Sequence, residues 1–356
     1  MSLLALGPLL LAAPAGFAWG QTPHSDMPPV AAVEGSYPSL NVHGFTDIDY
    51  AEGDAPGGTL GFHLGQFVLH FSSALAPKAS FFGEVSATPG PNTFAFEVER
   101  SFVRYDYNDA LKFSAGRFHT PIGYWNTAFH HGFWLQTTVL RPEMVKVGGT
   151  YVPVHFVGVK AEGDIPSGGL GLGYEAGVGN GRSEVLSRGG DAGDVNTNRA
   201  WLVALKAQPI ALYGLTAGAS VYRDWLSIST QPTIDEWIYS GHVAWTRETP
   251  ELIGELIAVQ HHDRGTGADF NNLAYYVQAA CRLPGRAHTL KPYARFEKMD
   301  VAAGEPVFTF PDQQVVTAGI RFDALALVAL KAEYRNELST GSLRAEALLL
   351  QASYTF

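Results

Sequence analysis

Apolar and polar residues alternate along most of the chain with a period of two. In the final stretch, ALLLQASYTF, one face carries Leu348, Leu350, Ala352, Tyr354 and Phe356, while the other carries Gln351, Ser353 and Thr355. Successive side chains of a β-strand point to opposite sides, so this pattern predicts a strand with one apolar face. Because that face reaches the last residue, the strand needs an apolar surrounding, either a protein core or a lipid bilayer.

About sixteen segments with this alternation follow one another without a helical interruption. They lie at 39–51, 60–73, 79–88, 95–108, 111–118, 153–164, 169–180, 199–208, 213–225, 233–247, 251–262, 271–283, 289–298, 314–324, 326–337 and 344–356. Most have about the length of a tilted membrane strand. The pattern therefore predicts an all-β fold, a transmembrane antiparallel up-and-down β-barrel of about 16 strands.

The connections between these segments fall into two alternating classes. Short ones such as ALAPK, ND and ETP follow the even segments, and longer ones such as EGDAPGGT and GRSEVLSRGGDAGDVNTN follow the odd segments. Short turns at one end and longer loops at the other are typical of bacterial outer-membrane barrels, whereas a soluble sandwich has no reason to sort its loops in this way.

The two faces of each segment suit two different solvents. In 233–247 one face includes Trp237, Tyr239 and Val243, and the other includes Glu236 and His242. The aromatic residues lie near segment ends, as interface girdles require. Sixteen strands would leave a lumen too wide for side chains to fill, and the last strand must pair with the first to remove the sheet edge.

Composition supports a membrane barrel and excludes several function classes. Charged residues make up only 16% of the chain, and the net charge of −10 argues against a nucleic-acid partner. The single cysteine, Cys281, excludes an internal disulfide framework.

The start of the chain predicts export. Residues 1–20 read as a signal peptide cut before Gln21, because an apolar run ends in small residues, although its first residues lack Lys and Arg. An N-terminal anchor helix is the alternative. We expect residues 21–38, which are Pro-rich and aperiodic, to be a periplasmic leader or linker, and residues 39–356 to form the barrel.

The carboxyl terminus and one internal stretch resemble bacterial outer-membrane porins. Tyr354 and Phe356 match the terminal aromatic pattern that serves porins as a signal for barrel insertion. The stretch VERSFVRYDYNDALKFSAGRFHTPIGYWN, followed by Arg141 and Pro142, resembles the fifth-strand region of the phosphate-selective porin O/P-like group. This resemblance implies passive diffusion of small hydrophilic solutes or ions, a homotrimer, no cofactor and the outer membrane of a Gram-negative bacterium.

Strand parity identifies the charged side chains that we expect to line the pore. The cations are Arg100, Arg104, Arg282, Arg295, Arg321, Lys331 and Arg335. The anions are Asp47, Asp49, Glu84, Glu175, Glu236, Glu255, Glu297 and Glu333. Lateral salt bridges that only stiffen the wall are the alternative, and a one-residue error in register would reverse every face.

The stretch 119–152 is unusually aromatic for a loop. Porins of this size fold the loop after the fifth strand into the channel, and the resemblance implies the same constriction here. Its expected channel contacts are His119, Tyr124, Trp125, His130, His131, Trp134, Arg141, Glu143 and Lys146. An extracellular loop that packs on its neighbours is the alternative. Anion selectivity needs a cationic constriction, and this loop has few cations in an acidic chain, so we do not infer phosphate selectivity from the resemblance and leave the solute and the ion preference open.

Enzymatic signals are weak. The pairs at 130–131 and 261–262 place histidines side by side, but adjacent side chains point apart in a strand, and neither HExxH nor GxSxG occurs. We therefore expect no enzyme and no metal. A plugged barrel that serves as a surface-binding or structural protein is the alternative to the porin, and an enzyme with its site at the rim is the third hypothesis.

Overall fold

The computed structural model describes residues 37–129, 131–182, 186–187, 190–227, 233–341 and 344–356. In these residues sixteen strands form one closed antiparallel barrel in which each strand pairs with its neighbours in the chain. The strands are β1 Asn41–Gly53, β2 Gly61–Ala76, β3 Ala79–Pro89, β4 Phe94–Asn108, β5 Leu111–His119, β6 His155–Ile165, β7 Leu172–Asn180, β8 Ala200–Ala207, β9 Leu215–Leu226, β10 Ile234–Trp245, β11 Glu251–Asp263, β12 Asp269–Ala280, β13 Leu290–Asp300, β14 Gln313–Leu325, β15 Val328–Ser339 and β16 Ala345–Thr355. The predicted fold is confirmed, whereas the predicted signal peptide and nearly all of the predicted leader lie outside the described residues.

The last strand closes the barrel against the first. β16 pairs with β1 from Phe45 opposite Thr355 to Gly53 opposite Ala347. Beyond the last pair, the Gly44 amide donates to the Phe356 carbonyl at 2.9 Å, and the Phe356 amide donates to the Gly44 carbonyl at 3.0 Å. The chain therefore uses its final residue to remove the sheet edge, as the apolar alternation predicted.

The connections are divided between the two ends of the barrel. The turns after β2, β4 and β14 span only 77–78, 109–110 and 326–327, whereas the two longest connections, 120–154 and 181–199, lie at the opposite end. The sorting is looser than predicted, since the 264–268 connection at the long-loop end is shorter than the 281–289 turn.

Helical structure is confined to short pieces. The helix α1 spans Trp125–Ala128, and single 3₁₀ turns span Pro56–Gly58, Phe133–Leu135, Glu143–Val145, Gly168–Leu170, Ile210–Leu212 and Gly285–Ala287. Among the described residues, no helix has the length and apolar character needed to cross a bilayer.

The two faces of the sheet differ in the predicted sense. Outward positions such as Phe62 and Phe96 are each 82% exposed, and Tyr239, Val243 and Phe356 are exposed as well. Inward positions carry the buried charges described below. An exterior with this many large exposed apolar side chains is suited to hydrocarbon rather than water.

Two predicted site residues lie elsewhere in the fold than expected. His119 is the last residue of β5 rather than part of the following loop. Arg282 lies past the end of β12 at Ala280, in the short turn, where it pairs with Glu248 at 2.7 Å and Asp323 at 2.7 Å. In both cases the period-two pattern predicted the strand, but its hydrogen bonds to the neighbouring strand end at a different residue.

Candidate functional site

The long connection between β5 and β6 reaches strands far from both. We call residues 120–154 the crossing segment. Its two ends are tied together by Asn126, whose Nδ2 donates to the carbonyls of Thr120 at 2.7 Å and Val154 at 3.2 Å. The segment therefore leaves and rejoins the sheet as a closed loop with a narrow base.

The first part of the crossing segment binds β10 and β11. The Gly123 amide donates to Ser240 Oγ at 3.1 Å, and the Trp125 amide donates to Glu255 Oε2 at 3.1 Å. Tyr276 from β12 donates to the same carboxylate oxygen at 3.0 Å. Gly123 has φ of +75°, and a Cβ there would lie 1.6 Å from Glu255 Oε1, so this approach requires glycine.

The second part is held through its carbonyl groups by three buried cations. Arg295 donates to the carbonyls of Leu140 at 2.9 Å and Arg141 at 3.1 Å. Arg321 donates to the carbonyls of Trp134 at 2.7 Å and Gln136 at 2.8 Å, and Lys331 donates to those of Phe133 and Thr138. These cations come from β13, β14 and β15, three consecutive strands.

Buried carboxylates bind the amide groups of the same part. Glu333 accepts from the amides of Val139 at 2.8 Å and Leu140 at 3.4 Å, and Glu297 accepts from the Glu143 amide at 2.6 Å. Backbone without regular structure carries donors and acceptors that must find partners when buried. The charged wall supplies both kinds, which explains why charges rather than apolar side chains occupy these inward positions.

Side-chain contacts extend the anchoring to further strands. Arg335 donates to the Glu143 carboxylate at 2.9 Å, while Lys146 is exposed and lies 3.5 Å from the same residue. His131 lies 2.9 Å from Gln66 Oε1 on β2 and 3.2 Å from Glu99 on β4. The aromatic rings of Tyr124, Trp125 and Trp134 contact His242, Tyr276 and Arg321, respectively. His130 lies outside the described residues.

A ladder of alternating charges crosses β4 to β8 on the other side of the barrel. Arg104 pairs with Asp106 at 2.8 Å, and Lys160 pairs with Glu162 at 3.0 Å and with Glu175 at 2.7 Å. Lys206 continues it at 3.3 Å from Glu175, and Arg104 lies 3.6 Å from Glu162. Each carboxylate has a cationic neighbour, so the ladder has little net charge.

The predicted pore-lining carboxylates of β1 and β3 also have partners on neighbouring strands. Glu84 is fully buried with Arg100, which donates to it, and with His70 at 3.0 Å. Asp47 accepts from the Gln66 amide at 3.3 Å, and Asp49 accepts from Gln351 at 3.0 Å.

Glu97, Glu99 and His155 bring three possible metal ligands within 4.8 Å of one another. Arg117 lies among them, because its Nη2 donates to His155 Nδ1 at 3.1 Å and to Glu97 Oε1 at 3.2 Å. A neutral histidine that accepts a hydrogen bond at Nδ1 carries its proton on Nε2, and this Nε2 lies 3.2 Å from Glu99. Arg117 also lies 3.8 Å from Glu99 and 2.6 Å from Asp191, so its guanidinium is the cation that these carboxylates share.

A second loop covers the crossing segment at the long-loop end. We call residues 301–312 the capping loop. Its Glu305 accepts from His261 at 2.8 Å and from Asn272 at 2.8 Å, and its Phe308 packs on Tyr151 of the crossing segment at 5.1 Å. Burial raises the pKa of the Glu305 carboxyl, but the hydrogen bonds outweigh burial and leave that pKa below its ordinary value.

The adjacent histidines His261 and His262 point apart, as the alternation predicted. His261 is buried and lies 2.9 Å from Glu236, which is also 3.3 Å from Arg182, whereas His262 is exposed and lies 2.8 Å from Asp269. No shared ligand site forms between the two rings.

Several inward charges were not predicted from the sequence. Lys160 and Lys291 are buried and Lys206 is half-buried at inward positions that strand parity would have identified, so the signal was present. Glu99 and Arg117 had no such signal. They are turned inward by a register shift between Glu84 and Val85 and by the backbone at Gly116, whose φ is +139°.

The chain was compared with known proteins in three ways. A scan against protein-family models and a search of curated proteins found no match. Solved structures do match. The anion-selective porin from Comamonas acidovorans has a TM-score of 0.66 at 12% identity, with 90% of this chain and 100% of that chain covered.

Two further structures are similar. The outer membrane channel DcaP of Acinetobacter baumannii has a TM-score of 0.61 at 12% identity, with 90% and 97% covered. The trimer form of OmpT, an outer membrane protein of Vibrio cholerae, has a TM-score of 0.60 at 12% identity, with 90% and 99% covered.

These likenesses show that the chain has the fold of outer-membrane porins. Together with the closed barrel and its apolar exterior, they confirm the predicted location in the outer membrane of a Gram-negative bacterium. They do not identify a solute, and the resemblance to the phosphate-selective O/P-like group is not among them.

Proposed function

We propose that this protein is an outer-membrane porin through which small hydrophilic solutes or ions diffuse passively, and that the crossing segment narrows its lumen. The observation that carries the proposal is the set of bonds from the crossing segment to β10, β11, β13, β14 and β15, strands well separated from the β5 and β6 that it connects. A segment that binds inward side chains of so many strands of a closed barrel is suited to a constriction.

The predicted pore-lining residues remain part of this proposal with a refined role. Arg295, Arg321 and Lys331 direct donors at carbonyls of the crossing segment. Arg295 and Arg321 also pair with the carboxylates of Glu297 and Asp323, each at 2.8 Å, so most of their charge is compensated within the wall. The ladder from Arg104 to Lys206 is internally paired. We therefore propose weak ion selectivity and do not extend to this chain the anion selectivity of the Comamonas porin or the phosphate selectivity of the O/P-like group.

Assembly completes the proposal. A homotrimer is supported by the family resemblance and by the trimeric form of the OmpT neighbour. We expect Tyr354 and Phe356 to act as an insertion signal. Deletion of Phe356 removes two backbone hydrogen bonds to Gly44 and a ring that lies 6.0 Å from Phe67, so it should reduce the amount of folded barrel in the outer-membrane fraction. Equal amounts of the deletion variant and the full chain would contradict this role.

A plugged barrel is the second candidate, because a specific observation favours it. The capping loop packs on the crossing segment through Phe308 and Tyr151, and inward charges such as Glu236 and Arg295 are at most 2% exposed. A barrel filled to this degree could serve as a surface-binding or structural protein.

Single-channel current of the purified protein in planar bilayers, under a KCl gradient, separates the two candidates. Stable conductance steps with a reversal potential near zero would support a weakly selective porin. A strongly anion-selective reversal potential would contradict the pairing argument. Folded and inserted protein without conductance would refute the diffusion pore and favour the plugged barrel.

A further inference from the structure

The outer face of β8 to β12 changes from apolar to polar within one step along the strands. One row of cross-strand neighbours consists of Val203, Val221, Tyr239, Ala258 and Leu273. The next outward row, two residues nearer the long-loop end, consists of Trp201, Arg223, Trp237, Gln260 and Asn271. Tryptophan in such a row marks the boundary between hydrocarbon and headgroups, here in the outer leaflet.

Two guanidinium groups lie on one indole at this boundary. The Arg223 carbon Cζ is 5.0 Å from the centroid of the Trp225 ring, and the Arg264 Cζ is 4.2 Å from the same ring. Trp201 and Trp237 meet edge to face at 5.5 Å across β9, next to Arg223. Stacking on aromatic rings fixes the planes of both guanidiniums and leaves their edges for further bonds.

Among the described residues, only one of these two guanidinium groups has a carboxylate partner. Arg223 pairs with Asp235 at 3.0 Å, and that carboxylate is the acidic partner that the strands supply directly beside the indole. The neighbouring acid Asp269 lies 2.8 Å from His262. Among the described residues no carboxylate pairs with the exposed Arg264, so its guanidinium edge is open to an external anion.

We propose that Arg223, Trp225 and Arg264 form a binding site for the phosphorylated headgroup of an outer-leaflet lipid. A guanidinium edge presents two parallel N–H donors that match a phosphate. The apolar row directly below, from Val203 to Leu273, receives the acyl chains, which is why a lipid fits this site better than a free anion. The site lies on the outside of the barrel, so it is independent of conduction through the lumen.

Native mass spectrometry of the purified full-length protein in an uncharged detergent tests the proposal. The probes are diphosphorylated lipid A, its dephosphorylated form and inorganic phosphate. We expect the wild type to bind diphosphorylated lipid A at least about tenfold more tightly than the dephosphorylated form, because one charge-assisted contact changes affinity by about this factor.

Two variants and one control locate the site. Arg264→Gln should bind diphosphorylated lipid A about tenfold more weakly than the wild type does. The double variant R223Q/D235N removes both members of an ion pair without leaving an unpaired charge. It should also bind diphosphorylated lipid A more weakly than the wild type does. Arg344→Gln is the matched control, since Arg344 lies at the same end of the barrel, where it pairs with Asn336 and Glu346 away from the tryptophans.

The outcomes are distinct. If Arg264→Gln binds lipid A as the wild type does, or if the wild type does not distinguish the phosphorylated lipid, the proposal is wrong. If inorganic phosphate at the same concentration displaces the lipid, the ligand is the free ion and the lipid assignment is overturned. Retained heat-modifiable electrophoretic mobility shows that each variant is folded.

Discussion

The anchoring of the crossing segment by Glu333 gives the sharpest test of the proposed constriction. This carboxylate accepts from the Val139 amide at 2.8 Å, the Leu140 amide at 3.4 Å and the Tyr293 hydroxyl at 2.9 Å. The substitution Glu333→Gln keeps the size of the side chain but removes its charge. It also turns an N–H group toward donors that previously met an oxygen.

These distances allow us to calculate how much free energy of anchoring the crossing segment loses in Glu333→Gln. A hydrogen bond to a charged group contributes about 1.5–3 kcal/mol, and a neutral one about 0.5–1.5 kcal/mol. Only the bonds from the Val139 and Leu140 amides are counted, because Tyr293 belongs to the wall and stays with Glu333 when the crossing segment detaches. Each of the two bonds loses about 1 kcal/mol, so the total is about 2 kcal/mol. The population of the detached segment should then rise about 30-fold.

Hydrogen exchange of the Val139 amide in micelles measures this population, because its exchange requires the bond to Glu333 to open. The matched control is Glu175→Gln, which neutralises a carboxylate of the same type that binds Lys160 and Lys206 rather than the crossing segment. Single-channel recordings of Glu333→Gln should show larger or noisier conductance. An exchange rate within about threefold of the wild type would refute the anchoring argument, since the calculated change is about ten times larger.

Two further predictions concern the capping loop and the barrel wall. The lowered pKa of Glu305 means that its ionised form stabilises the capping loop above the ordinary glutamate pKa of about 4.3, and that this stabilisation is lost as the pH falls through the lowered value. The protection of the loop amides, corrected for the intrinsic pH dependence of exchange, should fall there, and Glu305→Gln should show the same reduced protection at pH 7; unchanged protection in this variant would contradict the role of the bond from His261. Gly65→Ala should destabilise the barrel by about 1–3 kcal/mol, because its Cβ would lie 1.3 Å from Asp47 Oδ2 and force that carboxylate off its backbone bond. The temperature of heat-induced loss of compact mobility should fall for Gly65→Ala and stay unchanged for Gly241→Ala, where no atom lies within 4 Å.

The sequence predicted the strands well because a period of two is a local signal. Each strand has one face toward lipid, so its apolar positions repeat regardless of what the interior does. The strand that includes Glu236 and Tyr239 was predicted only from the contrast between a polar face, which carries Glu236, and an apolar face, which carries Tyr239. Strand ends were less predictable, as His119 and Arg282 show, because the ladder ends where a partner strand ends and not where the alternation stops.

The interior was less predictable because its partners are distant in sequence. Arg295 donates to the carbonyl of Leu140, which lies 155 residues away in the sequence. No local pattern encodes a contact over that separation. A register shift beside Glu84 brings Glu99 and Arg100 to the same side of the wall, which parity forbids. Inward direction was thus available from the sequence, whereas the identity of each partner was not.

The pairing of wall charges with a backbone segment has a consequence for how this barrel tolerates change. Lys331 and Glu333 bind carbonyl and amide groups, and every residue except proline supplies both, so these bonds do not depend on which side chain the segment carries at Thr138 or Val139. The wall residues have no such freedom, because removal of Arg295 would leave Glu297 buried without its partner at 2.8 Å. Positions of the crossing segment that are held only through their backbone can therefore vary and adjust the lumen, whereas Gly123, Asn126 and the charged wall keep the segment in place.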